Sequence, residues 1–241
     1  MAKTDNKVDF AGILCQGWRA AVRQQSYADV CGLDDNTLRE LTVYFGELDK
    51  WRRKINLVAR AEPARIIENH FLDSLTLLPE LTPYKEEEAP SLLDIGSGAG
   101  FPGLVIKIAC PWLRVILVEP RQKRVSFLQH IIRSLQLTNI TVREERLAED
   151  KRQFQENYGR PNIITSRAVA DIRTFLQMLT GAPAGSKIIC MKGPGAAAEI
   201  EAWQNSPDNV FTIVSRRRFV LPVSGAAREL IVFTQMDQEN R

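Results

Sequence analysis

One short stretch of this 241-residue chain could do chemistry through its backbone: SLLDIGSGAGFPG, residues 91–103. An apolar run ends at Asp94 and passes directly into Gly96, Gly98, Gly100 and Gly103. Glycines admit positive φ and let a ligand approach the main chain. Pro102 suits the first turn of a helix whose N–H groups would face the loop. A ligand therefore belongs above Asp94. A second acid, Glu119, closes the apolar run VILVEP, at the place where a strand-end carboxylate takes the hydroxyls of a ribose. Acid–base and metal chemistry find little support. The only histidines are His70 and His130, there is no G-x-S-x-G elbow, and Cys15, Cys31, Cys110 and Cys190 are scattered without a C-x-x-C pair. We expect no metal site and read the cysteines as small core residues in a reducing compartment.

These residues need a scaffold, and the hydrophobic pattern describes one. Leu38, Leu41, Phe45 and Leu48 recur at helical spacing behind Asp34, Asp35 and Asn36, any of which could cap. A further helical stretch covers about 64–77. PELTPYKEEEAP, residues 79–90, carries three prolines and three consecutive glutamates and reads as a solvated connector. The boundary belongs there, with a helical extension over 1–88 and a second domain over 89–241. Beyond it, SLLDIG, RVILVEP, NITVREE, NIITSRA and SKIICMKG alternate with helical segments, which specifies a parallel α/β sheet. The helix after the second strand shows an apolar stripe of Val125, Leu128, Ile131, Ile132 and Leu135. FTIVSRRRFVLPV and ELIVFTQ, joined through SGAARE, leave no room for a crossover helix and should pair antiparallel.

Composition bounds the rest. The chain is 44% hydrophobic and 25% charged with a net charge of +3, which fits a folded protein with a sizeable core and excludes a disordered one. No apolar run reaches the roughly 18 to 20 residues that cross a bilayer. The start MAKTDNKVDF lacks a signal peptide, so we expect a cytoplasmic monomer away from membranes.

Two ligand classes compete for the loop. Gly98, Gly100 and Gly103 match G-x-G-x-x-G, a weak dinucleotide signal that would suit an NAD-binding oxidoreductase. Asp94 favours S-adenosyl-L-methionine. It could accept a bond from the methionine ammonium, whereas a pyrophosphate beside that carboxylate would be repelled. Glu119 fits either ligand. A parallel sheet finished by an antiparallel pair resembles the class I S-adenosylmethionine-dependent methyltransferase fold: α/β, Rossmann-like and seven-stranded, with the last strand reversed.

The resemblance then narrows. KINLVA, HFLDSL, DIGSGAGFPG, KRVSFLQHI, TSRAVA and MKG follow one another between about Leu38 and Phe233. In that order they resemble the bacterial ribosomal RNA small subunit methyltransferase G family, also called glucose-inhibited division protein B. The family implies S-adenosyl-L-methionine as cofactor and methylation of the N7 of one guanine in 16S ribosomal RNA. Carried over by position, Gly96 and Phe101 match loop residues that touch the cofactor. Arg167 matches an arginine that reaches it from beyond the fourth strand, and Leu147 and Ala148 match the segment bordering the adenine. The family often has an acid where this chain has Ala148, so a side-chain bond to the adenine amino group would have to come from Glu149.

Arg167 and Lys192 lie at the carboxyl ends of the fourth and fifth strands, where an open α/β sheet places its ligand. Methylated guanine carries a positive charge, so a cation beside N7 would oppose transfer; phosphate or cofactor-carboxylate contacts suit both residues. Arg52, Arg53, Lys54, Arg60 and Arg65 form one basic cluster, and Arg216, Arg217 and Arg218 another. Both could track RNA phosphates. Asn56, His70 and Asp73 are expected to dock the helical part on the sheet. No residue is singled out as catalytic. A methyltransferase of the same fold acting on another RNA or a protein is the alternative.

Overall fold

The structure, a computed structural model, describes residues 8–25, 33–147, 150–206 and 210–235. Helices α1 (Phe10–Gln25) and α2 (Asp35–Trp51) come first. Of the three candidate caps, Asp34 is the one used, its carboxylate accepting from the Thr37 N–H at 2.7 Å, an interaction worth about 1 kcal/mol. Helix α3 (Pro63–Ile66) widens into a π-helical turn, Ile67–Leu72, before α4 (Asp73–Leu75). The sequence predicts one regular helix here, because the apolar spacing alone does not reveal a π-turn. Short α5 (Leu78–Leu81) and a 3-10 turn, Thr82–Tyr84, follow. The connector expected to be solvated throughout is only partly so. Leu81 and Tyr84 are buried, and the exposed stretch shrinks to 85–89.

The remaining elements alternate: β1 (Ser91–Ile95), α6 (Gly103–Ala109), β2 (Arg114–Val118), α7 (Gln122–Ser134), β3 (Ile140–Arg143), α8 (Lys151–Tyr158), β4 (Ile163–Arg167), α9 (Ile172–Met178), β5 (Lys187–Lys192), α10 (Ala196–Gln204), β6 (Phe211–Val220) and β7 (Ala227–Gln235). They build one seven-stranded sheet in the order β3-β2-β1-β4-β5-β7-β6. Strands β1 to β5 pair parallel, and β7 lies antiparallel between β5 and β6. Every expected strand forms. The last connection is tighter than SGAARE, because Ala227 already pairs with Val220 and the turn closes through a 2.9 Å bond from Leu221 N to the Ala226 carbonyl.

Strand burial follows position in the sheet. All of β1 is buried, whereas edge strand β3 alternates, as a doubly covered centre and a half-covered edge require. One apolar cluster joins the N-terminal helices to β1, α6 and α7; a second packs α8, α9 and α10 on the opposite face. At the heart of the first, the Tyr44 ring stacks on Phe101 at 5.5 Å, and Phe71 meets Phe101 edge-on at 5.1 Å. Such pairs add about 0.5–1.5 kcal/mol each beyond their burial. The helical part is thereby packed against the glycine loop itself. Strand order reverses between β1 and β4, so the crevice above their carboxyl ends is where this architecture holds a ligand.

Candidate functional site

The loop after β1 is folded by its own backbone. Gly96 N and Ser97 N donate to the Val118 carbonyl at 2.8 and 3.1 Å, and Gly100 N donates to the Ser97 carbonyl at 2.7 Å. Gly96 has φ +69°, and a Cβ there would lie 2.2 Å from Cγ2 of Val169. Gly100 has φ +101°, and a Cβ there would lie 2.7 Å from the Tyr44 hydroxyl. Neither position admits a side chain. Gly98 is different: nothing comes closer than the Arg124 Nη1 at 3.7 Å, so the loop is open at that point.

Asp94 is fully buried below the loop. Its Oδ2 accepts from Gly103 N at 3.0 Å, while Oδ1 is buried with no hydrogen-bond partner. The first N–H of α6 is therefore already occupied by this carboxylate, not free as the sequence suggests. Burial pushes the Asp94 carboxyl up to about 7, with the Gly103 N–H opposing the rise. Glu119 follows β2 and is also buried. Its Oε2 accepts from Gly98 N and its Oε1 from Arg121 N, each at 2.9 Å, and Arg124 stands 3.6 Å away.

Arg167, the last residue of β4, is gripped by the π-turn. It donates to the Asn69 carbonyl at 2.6 Å and to His70 Nδ1 at 2.7 Å, lies 3.6 Å from Asp73, and covers the Phe101 ring at 5.2 Å. His70 stacks on the same ring at 4.9 Å. Burial, with help from Arg167 and Arg228, depresses His70 to about 3. The imidazole is thus neutral, accepting through Nδ1. Burial raises the Asp73 carboxyl, and Arg167 and Arg228 counter it. Arg228 bonds Asp73 at 3.2 Å and Asn69 Oδ1 at 3.3 Å. His70 and Asp73 accordingly join the helical part to the sheet; Asn56 does not, being exposed.

The structure brings Asp94, Gly96, Gly98, Gly100, Phe101, Glu119 and Arg167 together around the switch between β1 and β4. Leu147, after β3, is buried in the second apolar cluster. Ala148 and Glu149 lie outside the described residues, whereas Asp150 caps α8 through the Gln153 N–H. Lys192 ends β5 but is engaged internally, donating to the Ala170 carbonyl at 2.6 Å and pairing with Glu199 at 2.8 Å. Arg217 bonds the Thr76 carbonyl at 2.8 Å and faces Glu80 at 3.6 Å. Arg216 and Arg218 pair with Glu229. Cys110 and Cys190 are buried, Cys15 is half-buried and Cys31 lies outside the described residues; burial pushes the Cys190 thiol up to about 12. Tyr44 and Val169, which shape the loop from outside it, carry no sequence signal of that role.

The family described as rRNA small subunit methyltransferase G (GidB) matches residues 37–223. The chain belongs to this family. A ribosomal RNA small subunit methyltransferase G from Desulfotalea psychrophila is 44% identical over 210 residues, 83% of this chain and 90% of the relative. One from Myxococcus xanthus is 39% identical over 194 residues, 78% and 84% of the two chains. Among solved structures, magnesium protoporphyrin IX methyltransferase from Synechocystis aligns with a TM-score of 0.56 at 17% identity, over 84% of this chain and 98% of that one. That likeness concerns the fold, which is the class I methyltransferase fold with added N-terminal helices. Among the described residues no helix is long and apolar enough to cross a membrane.

Proposed function

We propose that this member of the methyltransferase G family transfers a methyl group from S-adenosyl-L-methionine to the N7 of one guanine in the 16S ribosomal RNA of the small subunit. Family membership carries the reading and makes the chain an S-adenosylmethionine-dependent ribosomal RNA methyltransferase. The choice of N7 and of a single guanine rests on the family resemblance. The residues present fit that cofactor. Asp94 holds a buried, unpartnered Oδ1 beside the loop, suited to an ammonium group. Gly98 leaves the loop open beside Glu119, whose oxygens each retain a lone pair for a ribose hydroxyl. A dinucleotide fits poorly, because Asp94 takes the α6 N–H that would face a pyrophosphate.

Asp94, Gly96, Gly98, Gly100, Phe101, Glu119, Leu147 and Arg167 would hold the cofactor, which supplies an electrophilic sulfonium methyl. Guanine N7 has a lone pair and no proton, so the chain needs no general base. Its contribution is alignment and exclusion of water. Arg167 is arranged accordingly. Its charge is turned toward Asn69, His70 and Asp73, which limits repulsion of the cationic product. We take residues 1–88 as an extension that serves the transfer domain over 89–241. The large apolar side chains exposed among the described residues are scattered valines, which favours a monomer working in the cytoplasm.

The test is transfer of label from S-adenosylmethionine to unmodified small subunits, free 16S RNA and transfer RNA in parallel. Borohydride and aniline cleavage then locates 7-methylguanine. One cleavable guanine in 16S RNA is expected. Label in protein or transfer RNA, or label that does not yield to cleavage, overturns the substrate or the N7 assignment.

A further inference from the structure

Five arginines of the basic runs visible in the sequence are paired with acids of the same chain. Arg52 and Arg53 pair with Asp49 at 2.6 Å, Arg217 faces Glu80, and Arg216 and Arg218 share Glu229. Lys54 of the first run, with Arg121 and Lys123 from the start of α7, is not so paired among the described residues. Lys54, Asn56, Arg121, Lys123 and Arg124 line a groove of about 510 Å³ between the segment after α2 and the start of α7, and no acid lines it. Lys54, Arg121 and Lys123 are exposed, and among the described residues none has a carboxylate within ion-pair distance. Its inner wall, Arg124, touches the cofactor loop, with Nη1 3.6 Å from Glu119 and 3.7 Å from where a Gly98 Cβ would stand.

The chemistry of α7 adds an independent observation. Helices α2, α8 and α9 begin on aspartates whose side chains cap them: Asp34, Asp150 and Asp171. Helix α8, with Lys151 and Arg152 in its first turn, thus has a carboxylate beside them, whereas α7 begins on Arg121 without a side-chain cap and places Lys123 and Arg124 in its first turn. Cations at the positive end of a helix oppose its dipole. An arrangement that costs stability in the free protein suits a surface that meets an anion.

The geometry points to this groove as the seat of the RNA backbone next to the target nucleotide, with Lys54, Arg121 and Lys123 on successive phosphates and Arg124 joining the groove to the cofactor loop. This deepens the reading of the chain as a ribosomal RNA methyltransferase and rests on it. Asn56, both donor and acceptor, stands in the same groove to meet a sugar or base edge.

The experiment compares the wild type with Lys123→Gln and with Lys54→Gln/Lys123→Gln. It measures binding to unmodified small subunits across a salt series, KM for those subunits, cofactor affinity by calorimetry, and thermal midpoint. The slope of log K against log salt should fall by about one for each cation removed. KM for the subunit should rise about tenfold in the double variant, following the affinity lost with two phosphate contacts, while cofactor affinity stays unchanged. Lys123→Gln should keep or raise the thermal midpoint, which a structural lysine would not do. An unchanged salt slope in the double variant overturns the groove. The binding readout does not depend on catalysis: a wild type that binds subunits with the expected slopes but transfers no methyl overturns the function and leaves the groove standing.

Discussion

The hydroxyl of Tyr44, in α2, donates to the carbonyl of Ala99 in the glycine loop, 55 residues further along the chain. The ring is wholly buried, and burial raises its pKa well above 10, so the hydroxyl is a permanent donor. The first apolar cluster thus bonds to the glycine loop as well as packing on it.

Tyr44→Phe should therefore weaken cofactor binding without touching the cofactor. The variant keeps the ring contacts with Phe71 and Phe101 but strands the Ala99 carbonyl, at a cost of about 1–3 kcal/mol. Urea unfolding should show that loss, and calorimetry a weaker affinity for S-adenosylmethionine. A destabilised variant with unaltered affinity would mean that the bond supports the fold and not the loop.

Gly96→Ala should abolish cofactor binding, because the new methyl would stand 2.2 Å from Val169 Cγ2 on a residue with φ +69°. Only the first of these faults lies outside residue 96. Val169→Ala removes Cγ2, so the double variant should recover part of the affinity, with about 1–2 kcal/mol of left-handed backbone strain remaining. Absence of any recovery in a folded double variant would show that Val169 is not the obstacle.

Arg217→Ala should act on stability. Its guanidinium joins β6 to Thr76 and Glu80 in the helical part, and truncation leaves a carbonyl and a carboxylate facing an interface, costing about 1–3 kcal/mol. The salt dependence of RNA binding should stay near that of the wild type. A slope reduced by about one would instead assign Arg217 to a phosphate.

What could be read from the sequence follows from the range of each interaction. Buried parallel strands announce themselves as apolar runs such as SLLDI and KIICMK, and the glycine loop through local steric need, so the sheet and the cradle were both legible. The partners of the charged residues were not. Arg167 meets His70 from 97 positions away and Arg217 meets Thr76 from 141; no local pattern encodes such pairs. For the same reason the run Arg216, Arg217 and Arg218 does not reveal in the sequence that two of its arginines share Glu229. Lys123, at the start of α7, sits inside KRVSFLQHI, where an apolar stripe is the stronger signal.

The last prediction concerns pH. The Asp94 carboxyl, lifted by burial from 3.8 to about 7, holds a proton in the folded state that the unfolded chain has lost across that window. Stability from this group is therefore complete below about 4 and falls by about 1.4 kcal/mol per pH unit as pH rises toward 7. His70 works the other way. Its pKa drops from 6.5 to about 3 on folding, so the unfolded chain binds the extra proton and stability is lost as pH falls below 6.5. In the wild type the two slopes oppose each other between about 4 and 6.5. Asp94→Asn imitates the protonated acid, keeps an acceptor for Gly103 N, and removes one slope. Relative to the wild type, the variant should gain about 1.4 kcal/mol of stability for each pH unit of rise between 4.5 and 6.5, measured by urea unfolding without cofactor. A difference between the two proteins that does not change with pH would place the Asp94 proton outside this window and remove the case for a neutral carboxyl beneath the loop.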